Sequence, residues 1–70
     1  MKFLKLTDKL GRNVLVNVSN ITHIYEIGDL TIFAFPYPED FLQIPTTIDK
    51  LAIALDLLNN SECIVQEVIN

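Results

Sequence analysis

The chain has no tryptophan, one cysteine, one histidine, two glycines and three prolines in 70 residues. Each scarcity closes something off. Cys63 stands alone and cannot form an internal disulfide, which points to a reducing, cytoplasmic compartment. So few glycines and prolines, with no biased stretch, argue against a low-complexity or disordered chain. Apolar runs are short as well. The longest is Leu51–Leu55, against the roughly 20 residues that a membrane-spanning helix needs. No apolar run follows Met1-Lys2, so neither a signal peptide nor a membrane partner is expected.

Cationic side chains are scarce too: five Lys and Arg against nine Asp and Glu, for a net charge of -4. Four of those cations, Lys2, Lys5, Lys9 and Arg12, stand near the start with Asp8 as their one acid. Beyond them, Lys50 alone faces the other acids. Nucleic-acid binding needs a basic footprint to displace counterions from phosphates, so this balance argues against a nucleic-acid partner.

What the chain has in abundance is apolar surface, 50% of its residues. A domain of this size buries only about 60% of the surface its unfolded chain exposes. One small domain over 1–70 is expected, with apolar surface left for a partner.

Strand patterns fill the first part. Phe3–Thr7 alternates, Asp8-Lys9-Leu10-Gly11-Arg12 reads as a turn, and Asn13–Val18 alternates again with Val14, Val16 and Val18 on one face. This is an antiparallel hairpin. The alternation breaks at Ser19-Asn20, as at a corner, and resumes from Ile21 to Ile27. Gly28-Asp29 then suits a two-residue turn with Gly at the position that needs positive φ. That turn pairs Ile27 with Leu30, Tyr25 with Ile32 and His23 with Ala34 on one face. Ile24 with Phe33 and Thr22 with Phe35 fall on the other. Both faces carry large apolar side chains, so each is expected to be covered at least in part. Pro36-Tyr37-Pro38 stops the strand, and Phe41–Ile44 returns as a short one.

A helix is expected over about 47–59, capped by Thr46 or Thr47, with Asp49 in its first turn. At 100° per residue, Ile48, Leu51, Ala52, Leu55 and Leu58 form a stripe for the sheet. Ile53 and Leu57 form a second patch on the far side, where a monomer should show charges. That patch favours a homodimer, because a two-fold interface uses one surface twice. The competing explanation is that Cys63–Ile69 folds back over it. Segment 62–69 fits strand and helix spacing alike, and its β-branched residues favour a short strand.

Chemical signatures are sparse. His23 has no acid at metal-ligand spacing and reads as a structural or surface residue, since general acid–base work needs positioned partners. Cys63 has no nearby base to activate it, and Ile64 and Val65 beside it suggest a buried thiol. Glu39-Asp40 reads as a solvated loop rather than a cation cage. Two isolated glycines build no phosphate loop. No metal, cofactor or catalytic residue is expected. Phe33, Phe35, Tyr37 and Phe41 could form a docking patch for a peptide or ligand. The plainer reading has Phe33 and Phe35 straddling the sheet and Phe41 plugging the core edge, leaving Tyr37 as the best exposed contact.

Leu4-Lys5-Leu6-Thr7, Val14-Leu15-Val16-Asn17, Ile21, Ile24, Thr31-Ile32 and Thr47 before a helix resemble small bacterial and phage one-domain proteins of the flagellar FlbD-like type. The resemblance spans about residues 2–55. It departs at Pro36-Tyr37-Pro38, where such proteins show a glycine turn and another strand, and in the segment after the helix. It implies no catalytic residue.

The expected fold is α+β: an antiparallel sheet of three to five strands with one helix packed on a face. The expected function is a non-enzymatic interaction or regulatory module. It would act as a small homo-oligomer or with a protein partner of unknown identity, through Ile53, Leu57, Tyr37 and Phe35. The alternative is a peptide- or ligand-binding module using Phe33–Phe41.

Overall fold

The computed structural model describes residues 1–36 and 41–68. Strand β1 (Phe3–Thr7) pairs antiparallel with β2 (Asn13–Asn17), from Phe3 opposite Asn17 to Thr7 opposite Asn13. The connection is organised by Asp8. Its carboxylate accepts from the backbone N–H of Leu10 (3.0 Å) and Arg12 (2.9 Å) and from Arg12 Nε (2.7 Å). Arg12 Nη2 lies 2.6 Å from the same carboxylate.

A single 3-10 turn, Val18–Asn20, makes the corner, with the Asn17 side chain accepting from Ser19 N–H. Strand β3 (His23–Ile27) then pairs antiparallel with β4 (Leu30–Ala34) in the register implied by the sequence, Ile27 opposite Leu30 and His23 opposite Ala34. Gly28 sits at φ +58°, the left-handed conformation required at the first central position of such a hairpin turn. Strand β5 (Phe41–Ile44) adds antiparallel to β4. Helix α1 (Ile48–Asn59) follows, and β6 (Val65–Glu67) closes the chain's topology by pairing parallel to β1.

The fold is therefore α+β. Its strands divide between two three-stranded sheets, β2-β1-β6 and β3-β4-β5, because the corner at Val18–Asn20 carries the chain from one to the other. A common core joins the two sheets and the helix. Leu4 and Leu6 come from β1, Phe33 from β4, Ile44 from β5, and Leu51 and Leu58 from α1. Among the described residues no helix is long and apolar enough to cross a membrane.

The two faces of the β3-β4-β5 sheet differ. Phe33 faces the core. Ile32 and Ala34 are buried without belonging to that core cluster; in the register, Tyr25 and Gln43 flank Ile32 while His23 and Phe41 flank Ala34. Ile27 and Phe41, on the same outer face, are 62% and 55% exposed. Burial on the outer face is thus confined to the central strand, where side chains of the two neighbouring strands flank Ile32 and Ala34.

Three expectations are corrected. Phe33 and Phe35 do not straddle the sheet: two residues apart on an extended strand they share a face, and both pack with the core. Phe41 is exposed and plugs nothing. Cys63 is exposed rather than buried, because it lies in the turn between α1 and β6, where its N–H donates to Ser61 Oγ at 3.3 Å. Tyr37, Glu39-Asp40 and Ile69 lie outside the described residues.

Candidate interaction surface

Helix α1 positions the leading candidates, and both its ends are anchored. Thr47, not Thr46, is the N-cap, its Oγ1 accepting from Lys50 N–H at 3.3 Å, and Asp49 follows in the first turn. At the other end Lys2 reaches across from the start of the chain. Its Nζ donates to Leu58 O and to Ser61 O (2.8 Å), so a cation sits where the helix dipole favours one, against a carbonyl of the last turn and one just beyond the cap.

The buried side of α1 consists of Leu51, Ala54 and Leu58, with Leu55 and Ile48 half-buried. Ala52, expected in the stripe, is exposed, and Ala54 takes its place. The centre of the buried side is shifted by about 30° from the expected one, at 100° per residue. Leu57 stands about 60° from Ala54 on the same wheel, so Leu57 borders the buried side, while Ile53 stays on the far side as expected.

Both remain exposed, Ile53 at 62% and Leu57 at 54%. With Ala54 they form one wall of an open groove of about 240 Å³, whose other wall is Gln66, Glu67 and Val68. The described part of the expected cover, residues 62–68, thus lies beside the patch through β6 without hiding Ile53 or Leu57. Ile64 and Val65, entering β6, are themselves 62% and 41% exposed.

The aromatic candidates form a separate place. Phe35 is half-buried. With Phe41, Val14, Leu15 and Leu42 it lines a groove of about 380 Å³ that also touches Arg12. One side of this groove is β2, an outer strand of its sheet, where ladder hydrogen-bonding groups are open to another chain.

Elsewhere the geometry offers little chemistry. His23 is exposed, stacks on Tyr25 at 5.6 Å between ring centres, and has Nδ1 at 3.2 Å from Thr22 Oγ1. No group of three metal-ligating side chains occurs among the described residues. Thr46 Oγ1 is buried and unpartnered beside the start of α1. Glu26, Asp29 and Lys50 line the same hollow, so the helix terminus there faces charges of both signs.

Sequence reasoning missed Asp8 with Arg12, and Lys2. An Asp four residues before an Arg across a glycine turn was available as a signal for the first. Nothing local announces the second. Comparison with family models, curated proteins and solved structures finds no match, so the FlbD-like resemblance rests on the residues quoted for it.

Proposed function

We propose that this chain is a non-enzymatic interaction module that works as a small homo-oligomer through the Ile53–Leu57 side of α1. The observation that carries the reading is the exposure of these two side chains, 62% and 54%, on the rim of an apolar groove. Burying such a side chain is worth roughly 1.5–3 kcal/mol, and a two-fold contact gains it four times over. The solitary positions of His23 and Cys63 support the non-enzymatic part, since among the described residues neither has a carboxylate or a base as a hydrogen-bond partner. The single cysteine supports a cytoplasmic setting. The FlbD-like resemblance goes with a small bacterial or phage regulator and contributes no site residue.

Light scattering behind size-exclusion chromatography should give about twice the chain's 8.0 kDa. Ile53→Glu with Leu57→Lys should give a folded monomer. A wild type that stays monomeric at high micromolar concentration overturns the reading.

A second reading has the Phe35–Phe41 groove take an extended apolar peptide along the free edge of β2. The specific support is the meeting of aromatic side chains and an outer strand in one hollow, the arrangement on which strand addition depends. Amide shifts confined to β2 and Phe41 on titrating such a peptide would favour it. Shifts confined to α1 would not.

A further inference from the structure

We infer that β6 is the self-pairing edge of this protein: two copies join antiparallel through their β6 strands about a two-fold axis at Gln66, which sets the two α1 helices side by side. The inference rests on the homo-oligomer reading and specifies its geometry.

The strand itself supplies the first argument. In the order β2-β1-β6, β6 has a partner on one side only. Its inner side is fixed by Phe3 N–H donating to Ile64 O (2.7 Å) and Val68 N–H donating to Lys5 O (2.8 Å). Backbone groups alternate along a strand, so those of Val65 and Glu67 turn to the open edge. In an antiparallel pair centred on Gln66, Val65 of each copy faces Glu67 of the other. The two residues exchange both backbone hydrogen bonds, while Gln66 meets Gln66. The two Glu67 carboxylates are then never directly opposite each other.

Three residues of strand are too short to hold a dimer by backbone pairing alone. The neighbouring helix face supplies what the short strand lacks. Ile53 and Leu57 border the groove that β6 closes from the other side. Two sheets joined at β6 bring a helix from each copy over the same seam, where helices pack about 8–10 Å apart. Apolar side chains exposed on the rim become the filling of the join.

Charge supplies the third. Lys50 and Glu67 line the same groove, and the one ion pair among the described residues is Arg12–Asp8. A charged surface that meets its own copy is self-complementary when it carries both signs, so that the cation of one can meet the anion of the other. Lys50 and Glu67 provide that pair, which a partner of one charge sign would leave half unmet.

The test is a cross-link in the full chain. In a Cys63→Ser background, Gln66→Cys places two thiols at a non-hydrogen-bonded antiparallel pair, about 4.5 Å between Cα atoms, within the span a disulfide accepts. Mild oxidation should convert most of the protein to a covalent dimer, while Gln43→Cys on β5 should give almost none. Val65→Pro removes an outward N–H without touching the β1 ladder, a substitution edge strands tolerate. It should weaken dimerisation at least tenfold with circular dichroism unchanged, and the cross-link still decides if this variant fails to fold. A wild type that is dimeric, with Gln66→Cys no more reactive than Gln43→Cys, overturns the β6 inference and leaves the homo-oligomer reading standing. A monomeric wild type overturns both.

Discussion

At the scale of single residues, Asp8 carries a dense set of bonds, from the backbone of Leu10 and Arg12 and from the Arg12 side chain. The Arg12 side-chain hydrogen bond, helped by the backbone N–H groups of Arg12 and Leu10, holds its carboxyl below the ordinary 3.8, while burial pulls the other way. A carboxyl with a lowered folded-state pKa binds protons less readily folded than unfolded. Its stabilisation is thus complete above the unfolded value and is lost as pH falls through the folded one. Asp8→Asn should therefore lower the melting temperature at pH 7, and the gap from wild type should persist down to about pH 4. Below that it should close. Thermal melts across roughly pH 2–7, which brackets the ~3.9 of a free Asp, check this, and a gap that stays constant to the acid end would contradict it. Lys2 makes the complementary point. Its contacts with Leu58 O and Ser61 O join positions 56 and 59 residues apart. No local pattern around Lys2 encodes that reach.

At the scale of elements, legibility follows how local the determinant is. The β3–β4 hairpin could be read residue by residue, because a two-residue turn fixes register by itself. Gly28 at φ +58° has nothing within 4 Å of where a Cβ would lie, so substitution there meets backbone strain alone. Gly28→Val should cost on the order of 1–3 kcal/mol. Gly28→Asn should cost less, because Asn tolerates the left-handed region. Equal melting temperatures for the two would remove the strain argument. The rotation of α1 was less legible. Its period marks an apolar stripe, but Ile48, Ala52 and Leu55 serve as well as Ala54 until the sheet and Lys2 are in place. Segment 62–69 fits both spacings with its β-branched residues favouring a strand, and pairing with β1 makes Val65–Glu67 one. A pair of substitutions reads the helix orientation directly. Ala52→Glu should change stability by no more than about 0.5 kcal/mol. Ala54→Glu places an unpaired charge in the core and should cost about 3 kcal/mol or more. Similar losses at both sites would mean that α1 is turned as its apolar period alone suggests.

At the scale of the whole molecule, the fold class was legible because alternation, turns and one helical period agree, whereas the candidate surface was legible only as a surplus. Half the residues are apolar, and composition alone requires some of them to stay outside a core this small. Which ones do so depends on packing: Cys63 and Ala52 emerge where burial was expected, while Ile53 and Leu57 remain outside as anticipated. If those two side chains are covered by a second copy, folding and association are linked, and stability must rise with protein concentration. Raising the concentration roughly hundredfold should lift the wild-type melting temperature on the order of 5 °C, given the usual size of such shifts in small domains. Ile53→Glu should abolish that dependence while leaving the melting temperature at the lowest concentration nearly unchanged, because the residue is 62% exposed within its own chain. Scanning fluorimetry or calorimetry over a dilution series separates the possibilities. A wild-type midpoint that does not move with concentration would mean the helix face is simply solvated, and a lower midpoint for Ile53→Glu at every concentration would mean the residue supports its own chain instead of a neighbour.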